Sequence, residues 1–154
     1  MNELNRAVVR FTDGRIMKGT TQDFNPTRPL FHLQPADGGA LVEVRCKQMK
    51  ALFFVRSYEG NRSRRDIPGF LAAPPETAHG KKVAIRFRDG ELLCGYTLSF
   101  HADREGFFVF PADTGSNNLR VYVMTAAAQE MKSGPAADAL AQRVLDERKD
   151  QGAA

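Results

Sequence analysis

The side chains that most often carry chemistry are few in this chain and poorly spaced for it. The histidines are His32, His79 and His101. None stands one helical turn from another histidine or a cysteine, the spacing that lets two such side chains share a metal on one face. The cysteines, Cys46 and Cys94, are too few for a four-ligand zinc site or a disulfide framework of their own. Free thiols in such a chain read as small buried hydrophobes. There is no Gly-x-x-x-x-Gly-Lys phosphate loop, no Gly-x-Ser-x-Gly elbow and no His-Glu-x-x-His pair. Carboxylates are scattered, and turn chemistry explains Asp13 and Asp89, so no acid and base pair off for proton transfer. The expectation is a protein that is not an enzyme and needs neither metal nor cofactor.

Recognition chemistry remains. Arg62, Arg64 and Arg65 cluster in one irregular stretch, and Arg28 and Arg104 sit in corresponding loops. Phe107, Phe108 and Phe110 share one short apolar run. Strand alternation puts Phe108 and Phe110 on one face and Phe107 with Val109 on the other, so one face is core and the other could be a contact surface. Asn117, Asn118 and Arg120 either hold a loop through side-chain to backbone bonds or bind a polar ligand. The candidate binding residues are therefore Arg28, Arg62, Arg64, Arg65, Arg104, Phe108, Asn117, Asn118 and Arg120.

The elements that must position these residues come from a repeat. Arg10-Phe11-Thr12-Asp13-Gly14 lies over Arg86-Phe87-Arg88-Asp89-Gly90 at an offset of 76 (86 − 10). The same offset pairs Gly19 with Gly95, Thr21 with Thr97, Phe24 with Phe100, Arg28 with Arg104 and Phe31 with Phe107. It ends on Pro35-Ala36-Asp37 over Pro111-Ala112-Asp113. From Val8 to Asp37, 12 of 30 positions match without a gap, which chance does not give. The second copy then gains three residues, so that Val42 and Val44 fall on Val121 and Val123. The chain reads as a tandem duplication, with units near 7–56 and 82–132.

Each unit reads as β structure. Val9-Arg10-Phe11 and Val83–Phe87 alternate with the period of a half-buried strand. The Asp-Gly that follows predicts a hairpin with a type I′ turn. Return strands are expected over 15–24 and 91–100, each with a central glycine that permits a sharp bend or a close backbone approach. Third strands follow at 30–34 and 106–110, ended by proline, and fourth strands at 41–46 and 119–124. The fifth strand is Ala51–Val55 in the first copy and only a stub near Glu130-Met131-Lys132 in the second. Five short strands with a bent second one suggest a small SH3-like or Sm-like barrel. The fold expected is mainly β: two tandem five-stranded barrels plus a C-terminal helix. The domains are 1–58, a linker at 59–80, a second barrel at 81–133, and a helix and tail at 134–154. Ala137, Leu140, Ala141, Val144 and Leu145 recur at helical spacing, predicting a helix over about 136–149 that either packs on the barrels or serves as a partner-binding helix or mobile tail.

The chain has 154 residues, 42% hydrophobic and 26% charged, which fits one ordinary domain or two very small ones. No apolar run approaches a membrane span and the N-terminus lacks a leader pattern, so no membrane insertion is expected and the location is cytoplasmic. The net charge of +4 lies in residues 1–76 (12 basic, 8 acidic), while residues 77–154 balance at 10 and 10. That surplus is thin for a nucleic-acid footprint.

In the second copy the strings Val83-x-Ile-x-Phe-x-Asp-Gly-x-x-x-x-Gly95, Gly106-Phe-Phe-x-Phe-Pro-x-Asp113 and Ser116-Asn-Asn-x-Arg-Val-x-Val123 resemble a bacterial domain family of unknown function. That family occurs alone, in tandem, or beside signalling modules such as PilZ domains. The resemblance implies a bacterial source and a non-catalytic accessory role. The first copy departs from it, with Leu30-Phe31-His32 for Gly-Phe-Phe and no Ser-Asn-Asn. A PilZ dinucleotide site is not matched, because Asp66 stands where its motif needs glycine. The first half of each unit also resembles the first motif of Sm and Hfq proteins, an Asp-Gly hairpin leading to a bent strand with a central glycine. This implies a barrel and raises RNA binding. The Sm loop pattern is replaced by Asn25-Pro26-Thr27-Arg28 and His101-Ala102-Asp103-Arg104, and the second Sm signature is missing.

The function expected is a non-enzymatic binding or regulatory module that contacts another protein in a bacterial cytoplasm, with an oligomer possible. The alternative is an Sm/Hfq-like protein that binds RNA or single-stranded nucleic acid.

Overall fold

A computed structural model describes residues 6–59, 69–70, 80–98 and 104–152. The strands are β1 (Arg6–Phe11), β2 (Ile16–Thr20), β3 (Leu30–Pro35), β4 (Val42–Arg45), β5 (Met49–Val55), β6 (Lys81–Phe87), β7 (Leu92–Thr97), β8 (Gly106–Pro111), β9 (Asn118–Met124) and β10 (Ala128–Ser133), followed by α1 (Pro135–Gly152). All ten strands join one antiparallel sheet in the order β10-β6-β7-β8-β9-β5-β1-β2-β3-β4.

The order of the first five strands recurs in the next five, and so does the register. Gly19 faces Pro35 as Gly95 faces Pro111, and Phe31 faces Val44 as Phe107 faces Val123. The β1–β5 ladder shifts between Arg10 and Phe11, and the β10–β6 ladder shifts at the corresponding step between Ala128 and Glu130. The glycines in mid-strand are placed by close approach. A Cβ on Gly19 would lie 2.1 Å from the Gln34 carbonyl oxygen, and one on Gly95 2.2 Å from that of Phe110.

The pairing does not give two separate five-stranded barrels. The two halves meet in a further ladder, where β5 pairs with β9 and places Leu52 opposite Tyr122 and Phe53 opposite Val121. The sheet therefore runs on from one half to the other and stays open at β4 and β10. Because β5 has a neighbour on each side and packing on both faces, every residue of it is buried. Leu52 and Phe54 enter a core with Ala7, Val9, Phe31 and Leu33, while Ala51, Phe53 and Val55 enter a second core with Val83, Ile85, Phe107 and Val109.

Three local expectations are also corrected. The hairpin turns are not type I′, since among the described residues none but glycine has positive φ. Gly14 N–H donates to the Phe11 carbonyl at 3.1 Å and Phe11 N–H to that of Arg15 at 3.0 Å, which makes a three-residue loop with Gly14 at φ +95. Phe87, Gly90 and Glu91 repeat this arrangement. The fifth strand of the second half is a full six residues rather than a stub, its polar side chains belonging to an edge rather than to a loop. The regular part of each return strand stops at Thr20 and Thr97, short of the span its apolar pattern suggested.

Helix α1 is longer than its apolar stripe and starts on Pro135, a residue suited to a first helical turn. Ala137, Leu140, Ala141 and Val144 pack on Tyr96 and on Ala84, Cys94 and Ala112, small residues that admit a helix closely. Lys82–Asp138 at 3.1 Å, Arg86–Glu147 at 2.9 Å and Arg143–Glu130 at 2.6 Å rim the contact. Phe70 joins the same core edge-on to Tyr96. Among the described residues no helix is long and apolar enough to cross a membrane.

Two outcomes follow for stability. Phe53→Ala should cost about 3–5 kcal/mol, because it hollows the core of the second half from a strand of the first. The check is chemical denaturation, with one transition moving as a whole. The Tyr96 hydroxyl is buried without a hydrogen-bond partner. Tyr96→Phe should therefore leave stability unchanged or raise it by about 1 kcal/mol, read as the shift in melting midpoint.

Candidate functional site

Four of the described candidates, Phe108, Asn117, Asn118 and Arg120, gather where the two halves meet. Ser116, Asn117 and Asn118 lie between β8 and β9 and tie that loop to the exit of β5. The Ser57 N–H donates to Asn117 Oδ1 at 3.1 Å, Asn117 Nδ2 donates to the Ser57 carbonyl at 2.9 Å, and the Arg56 N–H donates to the Asn117 carbonyl at 2.9 Å. The Asn117 amide thus stands in for a strand partner. The Asn118 N–H donates to Ser116 Oγ at 3.1 Å, and the Gly115 N–H to Asp113 Oδ1 at 3.0 Å, turns that polar side chains close on their own backbone. Arg56 adds bonds to the Ser116 and Thr114 carbonyls. The Ser-Asn-Asn string builds the junction.

Arg120 and Phe108 form the centre of a different arrangement. In the β5–β9 ladder Arg120 faces Phe54, and its guanidinium lies 4.4 Å from the centre of the Phe54 ring and 4.9 Å from that of Phe108. Phe108 and Phe24 are half-buried, Phe54 and Tyr122 buried. Phe24 meets Phe31 at 5.2 Å, Tyr122 at 5.0 Å and Phe108 at 6.1 Å, and Phe108 meets Tyr122 at 5.1 Å, all near edge-to-face. Burial lowers the Arg120 pKa and raises that of Tyr122, where Cys46 and Glu105 add to the rise and Arg104 opposes it. Arg104 is exposed and near enough to be felt. Arg28 is exposed on the loop whose carbonyl accepts the Cys46 thiol at 3.8 Å. Phe107 is core and Phe108 lies on the opposite face, as alternation requires. Arg62, Arg64 and Arg65 lie outside the described residues.

The described basic side chains that are at least partly buried are Arg6, Lys50, Lys82, Arg86 and Arg120. Arg6 donates to the Arg56 carbonyl, Lys50 meets Asp89 and Glu91, Lys82 meets Asp138, and Arg86 meets Glu147. Among these five, Arg120 alone meets only aromatic rings. None of its nitrogens is enclosed without a partner, so its donors stay open to solvent.

Sequence reasoning missed Phe24, Phe54, Tyr122 and Lys50. Phe24 carried a signal in its match to Phe100, and Phe54 in the unbroken run Leu52–Val55, which cannot belong to a strand with one wet face. Lys50 is 7% exposed, lies 4.6 Å from the centre of the Phe87 ring and bonds Asp89 at 2.7 Å and Glu91. It clasps the β6–β7 hairpin from β5.

Other polar groups are accounted for locally. His32 Nδ1 meets Asp23 Oδ2 at 2.7 Å and the His32 N–H donates to Asp23 Oδ1 at 2.8 Å. Burial raises the Asp23 pKa, and these bonds outweigh it to leave the carboxyl lowered. They flank an open cavity of about 390 Å³ beside Gln34 and Leu41. Burial, with Asp138 adding, pushes the Cys94 thiol up to about 12, far from the thiolate a nucleophile needs. Among the described residues no three His, Cys, Asp or Glu side chains gather as metal ligands would.

Fold and site together define an all-β protein of one ten-stranded sheet with a helix on one end and an arginine–aromatic surface at its middle. Residues 3–133 match the model of a family of unknown function, DUF6982, and the chain belongs to that family. No curated protein and no solved structure matches it.

Asp89 gives a pH test of the junction. Burial raises its pKa, but Lys50 and the Glu91 N–H outweigh burial and hold it below the ordinary aspartate range. Its contribution is present above the unfolded value, roughly pH 4, and is lost as pH falls through the lower folded value. The gap in melting temperature between wild type and Lys50→Met should be widest near neutral pH and shrink below about pH 4, measured by thermal melts across acidic buffers.

Proposed function

We propose that this chain is a non-enzymatic binding and regulatory module of a bacterial cytoplasm, built from two duplicated Sm-like or SH3-like strand rolls and docking another protein at its midline. Repetition of strand order and register in the two halves supports the duplication. The observation that carries the reading is Arg120, seated over the Phe54 and Phe108 rings with its donors unspent. Arginine and aromatic side chains together are the usual energetic centre of protein contacts.

RNA or single-stranded nucleic acid is the second reading. It draws on half-buried Phe24 and Phe108 beside Arg104 and Arg120, since bases stack on such rings while arginines hold phosphates. A homo-oligomer through the sheet ends is less favoured, because it would bring together β4 with Glu43 and Arg45 and β10 with Glu130 and Lys132.

Bacterial lysate passed over immobilised wild type and Arg120→Ala should leave a specific protein on the first and not on the second, with both giving the same melting curve. Loss of all protein capture at physiological salt, with a labelled single-stranded RNA bound in a steeply salt-dependent manner, would replace this reading by the second.

A further inference from the structure

We infer that Arg120 is the anchor for a single carboxylate of a partner peptide, set beside an apolar residue that rests on Phe24 and Phe108; this deepens the protein-docking reading and depends on it. A guanidinium drawn partly out of water gives up hydration, and proteins normally return it as hydrogen bonds to oxygen. Arg6, Lys50, Lys82 and Arg86 follow that rule within the chain. Arg120 does not, and the two rings that hold it supply no acceptor. They do hold it in place, 4.4 Å from one ring centre and 4.9 Å from the other. A planar fork with free N–H groups, seated over two rings, is matched in shape and charge by a carboxylate, which can accept two parallel bonds.

The surroundings select one discrete anion over a chain of them. The Glu105 carboxylate is close enough to raise both Cys46 and Tyr122, and the Asp23 carboxylate caps His32 near Phe24. A polyanion following the aromatic cluster toward Arg104 would meet these negative charges. A peptide with one acidic side chain would not. The half-buried rings of Phe24 and Phe108 leave apolar area next to the cation, so the residue flanking the acid is expected to be aromatic or branched aliphatic.

The position is also specific to the second half. The residue at the place of Arg120 in the first half is Leu41, by the three-residue gain that sets Val42 on Val121, and it is an uncharged side chain, 58% exposed. One anchor per chain is expected.

The test is selection from a library of random displayed dodecapeptides on the full chain. The enriched peptide is then measured by fluorescence anisotropy against wild type, Arg120→Gln and Arg120→Lys. Enriched sequences should share one Asp or Glu beside an apolar residue. Replacing that acid by its amide should weaken binding roughly tenfold or more, and Arg120→Gln should weaken it as much and make the amide swap silent. Arg120→Lys should restore part of the affinity, as a point charge without the fork. The salt dependence should be shallow, near that of one ion contact. Peptides without an acid, equal binding to Arg120→Gln, or no enrichment would overturn the carboxylate anchor. If lysate capture through Arg120 persists in those cases, protein docking stands without the carboxylate; if capture fails as well, both readings fall. Displacement of the peptide by a short single-stranded oligoribonucleotide with a steep salt slope would count for nucleic acid instead.

Discussion

The pairing of β5 with β9 is the constraint on which the rest of the structure depends. A strand with neighbours on both edges and packing on both faces has no place for a polar side chain that lacks a partner. Met49–Val55 obeys this, and its single charge, Lys50, is spent on Asp89 and Glu91. The strand feeds alternate residues to two cores, so neither half completes its interior alone. Small β units bury too little surface to be secure by themselves, and sharing a strand is one way past that limit. The ladder also explains why such a seam occurs once. Opposite Arg10 the first half has Ala51, and opposite Arg86 the second half has Glu130; opposite Val8 and Ala84 they have Phe53 and Lys132. At the sheet's end the fifth strand carries charge, the usual protection of an open edge.

The seam organises the surface around it. Asn117 bonds both ways to the Ser57 backbone, so the string that looked most like a ligand site closes the joint. Across the same joint Phe54 is brought under Arg120, and Phe24 of the first half meets Phe108 and Tyr122 of the second. Gly106 belongs to this set, because a Cβ there would strike the Tyr122 ring at 2.6 Å. In the first half Leu30 and Glu43 occupy the corresponding places, and no ring demands the space. The departure of Leu30-Phe31-His32 from Gly-Phe-Phe thus follows from a missing tyrosine across the strand.

Local order was largely legible in the sequence. Hairpins after Phe11 and Phe87, the third and fourth strands and the terminal helix all rest on short-range periodicity and turn residues. The type of hairpin turn was not, because Asp-Gly serves a three-residue loop as well as a two-residue one. β10 read as a stub because an edge strand needs no apolar alternation. Joining β5 to β9 was out of reach: strands whose partners lie 63 (118 − 55) to 72 (123 − 51) residues apart leave no periodic trace of their pairing. Arg120 and Phe108 each stood out on separate grounds, and nothing in the sequence showed that the seam brings them together; of the two roles open to Asn117, its bonds to Ser57 are those of a loop fastener.

Native-state hydrogen exchange tests the central claim most directly. If one continuous sheet holds both halves, the protected amides of β5 and β9 exchange with the same free energy, at the top of the range for the molecule, and lose protection together as denaturant rises. Amides of β5 that open at markedly lower free energy than those of β9, with residues 81–133 staying protected, would mean two independent units and would contradict the account.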